Sequence, residues 1–180
     1  LFAPIIAKEL QESFIFQNTL KTNSGIQSMQ YPLQVNPREL NLFYHHATGR
    51  KRIIKKDEKF QLVDSEVSYS PTEIIQSLKN NPENFSPNVL LRPLYQEYLF
   101  PNLAFIGGGG EIAYWMQLKN CFEAASIPYP ILFRRFSAFY FDESLLAKIS
   151  KLPIERTTFL QPIHEIEKSF IKLQTKVEDN

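Results

Sequence analysis

Apolar residues recur at helical spacing in the first 29 residues, where Phe2, Ile5, Ile6, Leu10 and Phe14 share a face and predict one long helix. Asn36-Pro37-Arg38-Glu39 then combines a capping Asn, a Pro at the first helical position and a Glu at the third, which predicts a short helix. From Leu42 to Ser70 the period changes. LFYHH, RKRIIKK and KFQLVD alternate or run β-rich around ATG and DE, and predict a small antiparallel meander. Ser70-Pro71-Thr72-Glu73 opens a helix that should end near Asn80 or Asn81, and 82–87 reads as a loop. NVLL (88–91) predicts a strand, Arg92-Pro93 opens a helix through Leu99, and LAFIG (103–107) predicts the next strand. Four consecutive glycines, Gly107 to Gly110, lead into a long helix from about Gly110 to Ala125. PYPILFRRFSAFYF is strand-like, with Pro128 and Pro130 fixing its entry.

Strand, helix, strand, helix, strand in that order predicts an α/β fold with right-handed crossovers and a parallel sheet, the meander being an insertion at about 42–70. After Phe141 the texture turns to Lys- and Glu-rich helix, interrupted by Pro153. Ile163, Ile166, Phe170, Leu173 and Val177 then alternate three- and four-residue steps. Such a seam starts a coiled coil, and it equally suits an amphipathic helix packed on its own domain. The expected organisation is therefore an α/β part over 1–141 and a helical segment over 142–180.

Length and charge narrow the classes. With 180 residues the chain can bury a real core, and a net charge of +1 gives no electrostatic argument for nucleic acid or an anionic membrane. No apolar run approaches a membrane span. The single cysteine, Cys121, excludes an internal disulfide and suits a reducing cytoplasm. Opening on Leu1, in what reads as mid-helix, the chain is expected to be a piece of a longer protein.

The glycines are the first candidate for chemistry. A strand turning sharply into a helix presents free N–H groups and the positive end of a helix dipole, and glycine lets an anion approach. The run is neither G-x-G-x-x-G nor a P-loop. Anion or substrate binding at Gly107, Gly108, Gly109 and Gly110 competes with a turn that needs glycine only for packing. At 100° per residue, Tyr114, Trp115, Leu118, Cys121, Phe122 and Ala125 form one apolar stripe with Glu111 at its N-terminal end. Glu111 should then look along the buried face, where a carboxylate could hold a substrate amine or act as a base. The alternative is a first-turn Glu favoured by the dipole. Cys121, mid-helix on the stripe, reads as a small core residue.

Arg92, Tyr95, Gln96 and Leu99 share a helix face just past a predicted strand end. A guanidinium with an amide one turn on suits a carboxylate or phosphate, and pairing of Arg92 with an acidic residue elsewhere is the competing reading. The basic run Arg50, Lys51, Arg52, Lys55 and Lys56 reads as protection of an edge strand rather than a binding surface. His45 and His46 are adjacent on a strand and point to opposite faces, so no metal site is expected.

One resemblance extends this reading. The string FSPNVLLRPLYQEYLFPNLAFIGGGGEIAYWMQLKNCFEAASIPYPILFRRFSA (85–138) resembles the signature block of the bacillithiol biosynthesis cysteine-adding enzyme family, BshC. VNPRELNLFYHHATGRKRI (35–53) is similar to an upstream block of the same family. The resemblance implies a cytoplasmic ligase that joins cysteine to the glucosamine amine of glucosaminyl malate. It implies a Rossmann-like core with inserted segments, followed by a coiled coil that makes a homodimer, with ATP or ADP as a candidate cofactor. The family is longer than this chain, so the resemblance implies a central fragment, inactive alone. On that footing Arg92, Tyr95, Gln96 and Gly107 to Gly110 would line the substrate crevice, and Glu111 would face the reacting amine.

Overall fold

The structure, a computed structural model, describes residues 1–152 and 154–178. The chain divides into two compact units, Leu1–Arg135 and Phe136–Asn180. In the first unit the opening helical stretch is two helices, α1 (Ala3–Glu12) and α2 (Phe14–Ser28), rather than one. Between them Ser13 takes a left-handed conformation at φ 49°. The break is held from a distance. Glu9 is fully buried, and its Oε2 accepts the Ile15 N–H (3.0 Å) at the start of α2. Its Oε1 accepts the backbone and side-chain N–H groups of Asn41 at 2.9 and 3.0 Å.

No helix forms over 36–39. The N–H groups of Gln34 and Val35 donate to Gln117 Oε1 at 2.9 and 3.0 Å, and the Asn41 amide donates to the Arg38 carbonyl at 2.8 Å. A capping signal is worth about 1 kcal/mol. Buried side chains gripping the segment from both ends outweigh it.

Strands β1 (Leu42–His46), β2 (Gly49–Lys56), β3 (Lys59–Leu62) and β4 (Ser68–Tyr69) pair antiparallel. Helix α3 (Pro71–Asn80) follows, capped reciprocally by Ser70 and Glu73. The expected loop at 82–87 instead contains a 3-10 turn (Pro82–Asn84) and strand β5 (Phe85–Pro87). β5 joins the antiparallel sheet beside β1, so the order is β4-β3-β2-β1-β5 and β2 is central. The register assigns the two faces. Leu42, Tyr44, Ile53, Phe60, Leu62 and Phe85 enter the core with Ile6 and Leu10 of α1 and Ile74 and Leu78 of α3. Phe43, Arg50, Arg52 and Ser86 share the opposite face.

NVLL does not form the first parallel strand. Asn88 Oδ1 accepts the N–H groups of Leu90 and Leu91 (2.9 and 3.1 Å), a turn that delivers the chain into α4 (Arg92–Leu99). The parallel sheet is therefore one pair, β6 (Ala104–Gly107) with β7 (Ile131–Arg134). Between them the expected long helix is two, α5 (Gly109–Met116) and α6 (Lys119–Ala124). The break tightens into i→i+3 bonds, Leu118 N–H to Trp115 O and Cys121 N–H to Leu118 O. Trp115, Leu118, Cys121 and Phe122 nevertheless all reach the core, and Trp115 stacks on Phe105 with ring centroids 4.0 Å apart.

The second unit holds α7 (Glu143–Ile149), a 3-10 turn (Arg156–Leu160) and α8 (Ile163–Glu178). Asp142 caps α7 by accepting the Leu145 N–H at 2.6 Å. On α8 the seam residues Ile166, Phe170 and Leu173 are half-buried, whereas Ile163 is exposed. Pro153, expected to interrupt the helix, lies outside the described residues, as does the Val177 side chain. Among the described residues no helix is long and apolar enough to cross a membrane.

Candidate functional site: a basic cavity beside the inserted sheet

A cavity of about 870 Å³ lies in the first unit, lined by the outer face of the antiparallel sheet, the extended segment before it and helices α4 and α5. Its charged lining is Arg38, Arg50, Lys51, Arg52 and Arg92 against Asp64 and Glu111. In a chain of net charge +1 this concentrates cations in one place, and a concave site of that size suits a small anionic ligand.

The guanidiniums are not equivalent. Arg50 donates from Nε to Ser86 Oγ (3.1 Å) and from Nη2 to the Pro87 carbonyl (2.8 Å), and lies 3.8 Å from the centroid of the Phe43 ring. Lys51 Nζ reaches the Asp64 carbonyl oxygen at 3.4 Å. The side chains of Arg38, Arg52 and Arg92 form no hydrogen bond or ion pair among the described residues. Pairing of Arg92 with an acidic partner is therefore not realised. Gln96, one turn along α4, also lines the cavity and donates to Glu97 Oε1 at 3.1 Å. Glu97 itself is buried and accepts from Asn102, closing the end of α4.

Glu111 lines the cavity, but it is exposed and does not look along the buried stripe. It stands at the third position of α5, where its Oε2 turns back to accept the Gly108 N–H at 2.9 Å. That contact uses one of the open amides at the helix start. None of the four glycines, expected to line the crevice, is among the residues lining this cavity, and their roles also separate. A Cβ on Gly107 would meet Phe105 Cε1 at 2.7 Å and Glu111 Cβ at 3.2 Å, so this glycine is required by packing against the ring stacked on Trp115. Around Gly109 the space is open. Tyr95 stands apart from the basic cavity: it packs edge-on against Phe2, ring centroids 5.0 Å apart, beside a second, smaller cleft.

The basic run on β2 is the group whose placement the sequence reading missed. The charge run reads as an edge strand, whereas β2 is the middle strand of five. The signal was the run itself, together with the alternation that puts Arg50 and Arg52 on one face. Arg38 had no signal beyond its place in a helix that does not form. Cys121 is buried, with its Sγ 3.3 Å from Thr19 Oγ1, and burial pushes its thiol up to about 12, which makes it inert core. Among the described residues no group of His, Cys, Asp or Glu could hold a metal ion.

Residues 1–136 match the family described as Bacillithiol biosynthesis BshC, N-terminal Rossmann-like domain. The chain belongs to the BshC family. A protein of Christiangramia forsetii named "Putative cysteine ligase BshC" is 44% identical over 165 residues, which cover 92% of this chain and 31% of the relative. A Flavobacterium psychrophilum protein of the same name is 46% identical over 155 residues, covering 85% of this chain and 28% of the relative. One from Bacillus cereus strain AH187 is 30% identical over 168 residues, covering 93% and 31%. The chain thus spans less than a third of the length of these BshC relatives. The α/β Rossmann-like character of the first unit, with strands of both orientations, agrees with the family assignment.

Proposed function

We propose that this chain supplies the acceptor-binding part of a cytoplasmic cysteine ligase of bacillithiol biosynthesis, which joins cysteine to the glucosamine amine of glucosaminyl malate. The observation that carries the reading is the cavity with guanidiniums, including those of Arg52 and Arg92, that have no partner among the described residues, in a chain whose relatives are named cysteine ligases. Arg92, with the Gln96 amide beside it, holds a malate carboxylate, because a planar fork of donors matches two carboxylate oxygens. Glu111 faces the acceptor amine. Its Oε1 stays free to accept from an ammonium while Oε2 caps the helix.

Joining a carboxylate to an amine expels water, and the carboxylate of cysteine must first be activated. ATP, released as ADP and phosphate or as AMP and pyrophosphate, is the cofactor class that would supply this. In the full-length protein α8 leads into a coiled coil that makes a homodimer. The test is a thermal-shift series of this chain against glucosaminyl malate, malate, cysteine, ADP and ATP. A rise with the first two supports the acceptor site. A rise with nucleotides alone favours a nucleotidyltransferase acting on another acceptor, and no shift with any of them removes the reading for this chain.

A further inference from the structure

Arg52 has a place in the fold that packing does not explain. It lies on a central strand, where charge has no edge to protect. Arg50, two residues before it on the same face, is fixed by Ser86, Pro87 and the Phe43 ring. The ring that stands cross-strand from Arg52 is thus taken by its neighbour. The Arg52 side chain has no protein partner, and its Nε is the buried side-chain atom that lacks one among the described residues. A guanidinium N–H removed from water and given no acceptor costs stability, and a ligand oxygen that completes it recovers the loss. Nothing on the cavity wall provides that oxygen: Glu111 is engaged with Gly108, and Asp64 makes no ion pair among the described residues.

We propose that Arg52 anchors a second carboxylate of the cavity's ligand, so that β2 and α4 each contribute one guanidinium and the site selects a dicarboxylate over a monocarboxylate. The inserted sheet then forms a wall of the binding site rather than an appendage. This assignment rests on the cavity being the acceptor site.

Calorimetric binding of L-malate, L-lactate and inorganic phosphate to the chain tests it, with Arg52→Met, Arg52→Lys and Arg92→Gln compared and the urea midpoint recorded for each. The wild type is expected to prefer malate over lactate by about tenfold or more, as a second charge-assisted contact implies. Arg52→Met loses that preference while lactate binding is kept and the urea midpoint is not lowered, because nothing among the described residues bonds to the side chain. Arg52→Lys, which keeps charge but not the planar fork, restores part of it. Wild-type malate affinity in Arg52→Met, or a lowered midpoint with the malate-to-lactate ratio intact, makes Arg52 structural and overturns the proposal. Preference for phosphate over malate overturns the dicarboxylate class. If Arg92→Gln abolishes malate binding and Arg52→Met does not, the inference fails while the acceptor reading stands. If the wild type binds none of the three, both fall.

Discussion

Gln117 ties the two sides of the cavity together, and replacing it with Ala tests how much of the site depends on one buried amide. The side chain is 1% exposed and uses its full hydrogen-bonding capacity. Oε1 accepts from the N–H groups of Gln34 and Val35, at 2.9 and 3.0 Å. Nε2 donates to Asn23 Oδ1 (2.7 Å) and the Val35 carbonyl (2.9 Å). Truncation orphans two backbone donors and two acceptors. At about 1–3 kcal/mol per unsatisfied buried group, with water refilling part of the space, the expected loss is roughly 3–5 kcal/mol. That is a large share of the roughly 5–15 kcal/mol that holds an ordinary domain. The assay is urea unfolding followed by fluorescence of Trp115, the chain's one tryptophan, which lies two residues away and is stacked on Phe105. Gln117→Glu is the matched control, since it keeps the shape but cannot donate to Asn23 and Val35. It should be destabilised comparably. The extended segment held by Gln117 runs on to Arg38, and α5 before it carries Glu111 and Tyr114, so anion binding should weaken as well. A loss below about 1 kcal/mol in both variants would refute the claim that the amide, rather than apolar packing, fixes the segment.

Three further expectations concern the fold. Burial pushes the Glu9 carboxyl up to about 7 against the N–H groups of Ile15 and Asn41 that pull it down. A carboxyl raised in the folded state takes its proton more readily there than when unfolded. Stability should therefore fall as pH rises from about 4.5 to about 7, by roughly 3 kcal/mol, read from urea midpoints across that range. A flat or rising profile through that window would show that its three N–H donors outweigh burial. Gly107→Ala should lose about 1–3 kcal/mol through the clash with Phe105, whereas Gly109→Ala, with open space around it, should be neutral or slightly stabilised. Equal effects at the two positions in thermal melts would contradict the packing account of Gly107. The Cys121 thiol, buried and pushed up to about 12, should react with a thiol reagent only as fast as the fold opens, so adding urea should speed labelling in step with unfolding. Rapid labelling of the folded chain would place the thiol elsewhere.

Local signals determined much of this chain. Ser70 to Glu73 encodes its own cap, Arg92-Pro93 opens α4 at the residue expected, and the β-rich texture after Leu42 marks the strands that became β1 to β4. The stripe through Trp115, Leu118, Cys121 and Phe122 named core residues correctly even though the helix beneath it is broken. Each of these depends on neighbours a few residues apart, which is the range that periodicity and capping report. The tertiary structure decided what was settled over longer separations. Glu9 splits the first helix by reaching both Ile15 and Asn41, and Gln117 holds 34–35 extended from more than 80 residues away in sequence. Asn88 turns an apolar run that reads as a strand into the lead-in of α4. Glu111 stands in the first turn of α5 and lines the cavity, but its direction follows from the open amide of Gly108 rather than from the stripe. The basic run on β2 shows the same limit. Its charge was legible in the sequence, and its middle place follows from local pairing with β1 on one side and β3 on the other, but that it lines a cavity depended on α4 and α5 standing across from the sheet. No window of consecutive residues contains that arrangement.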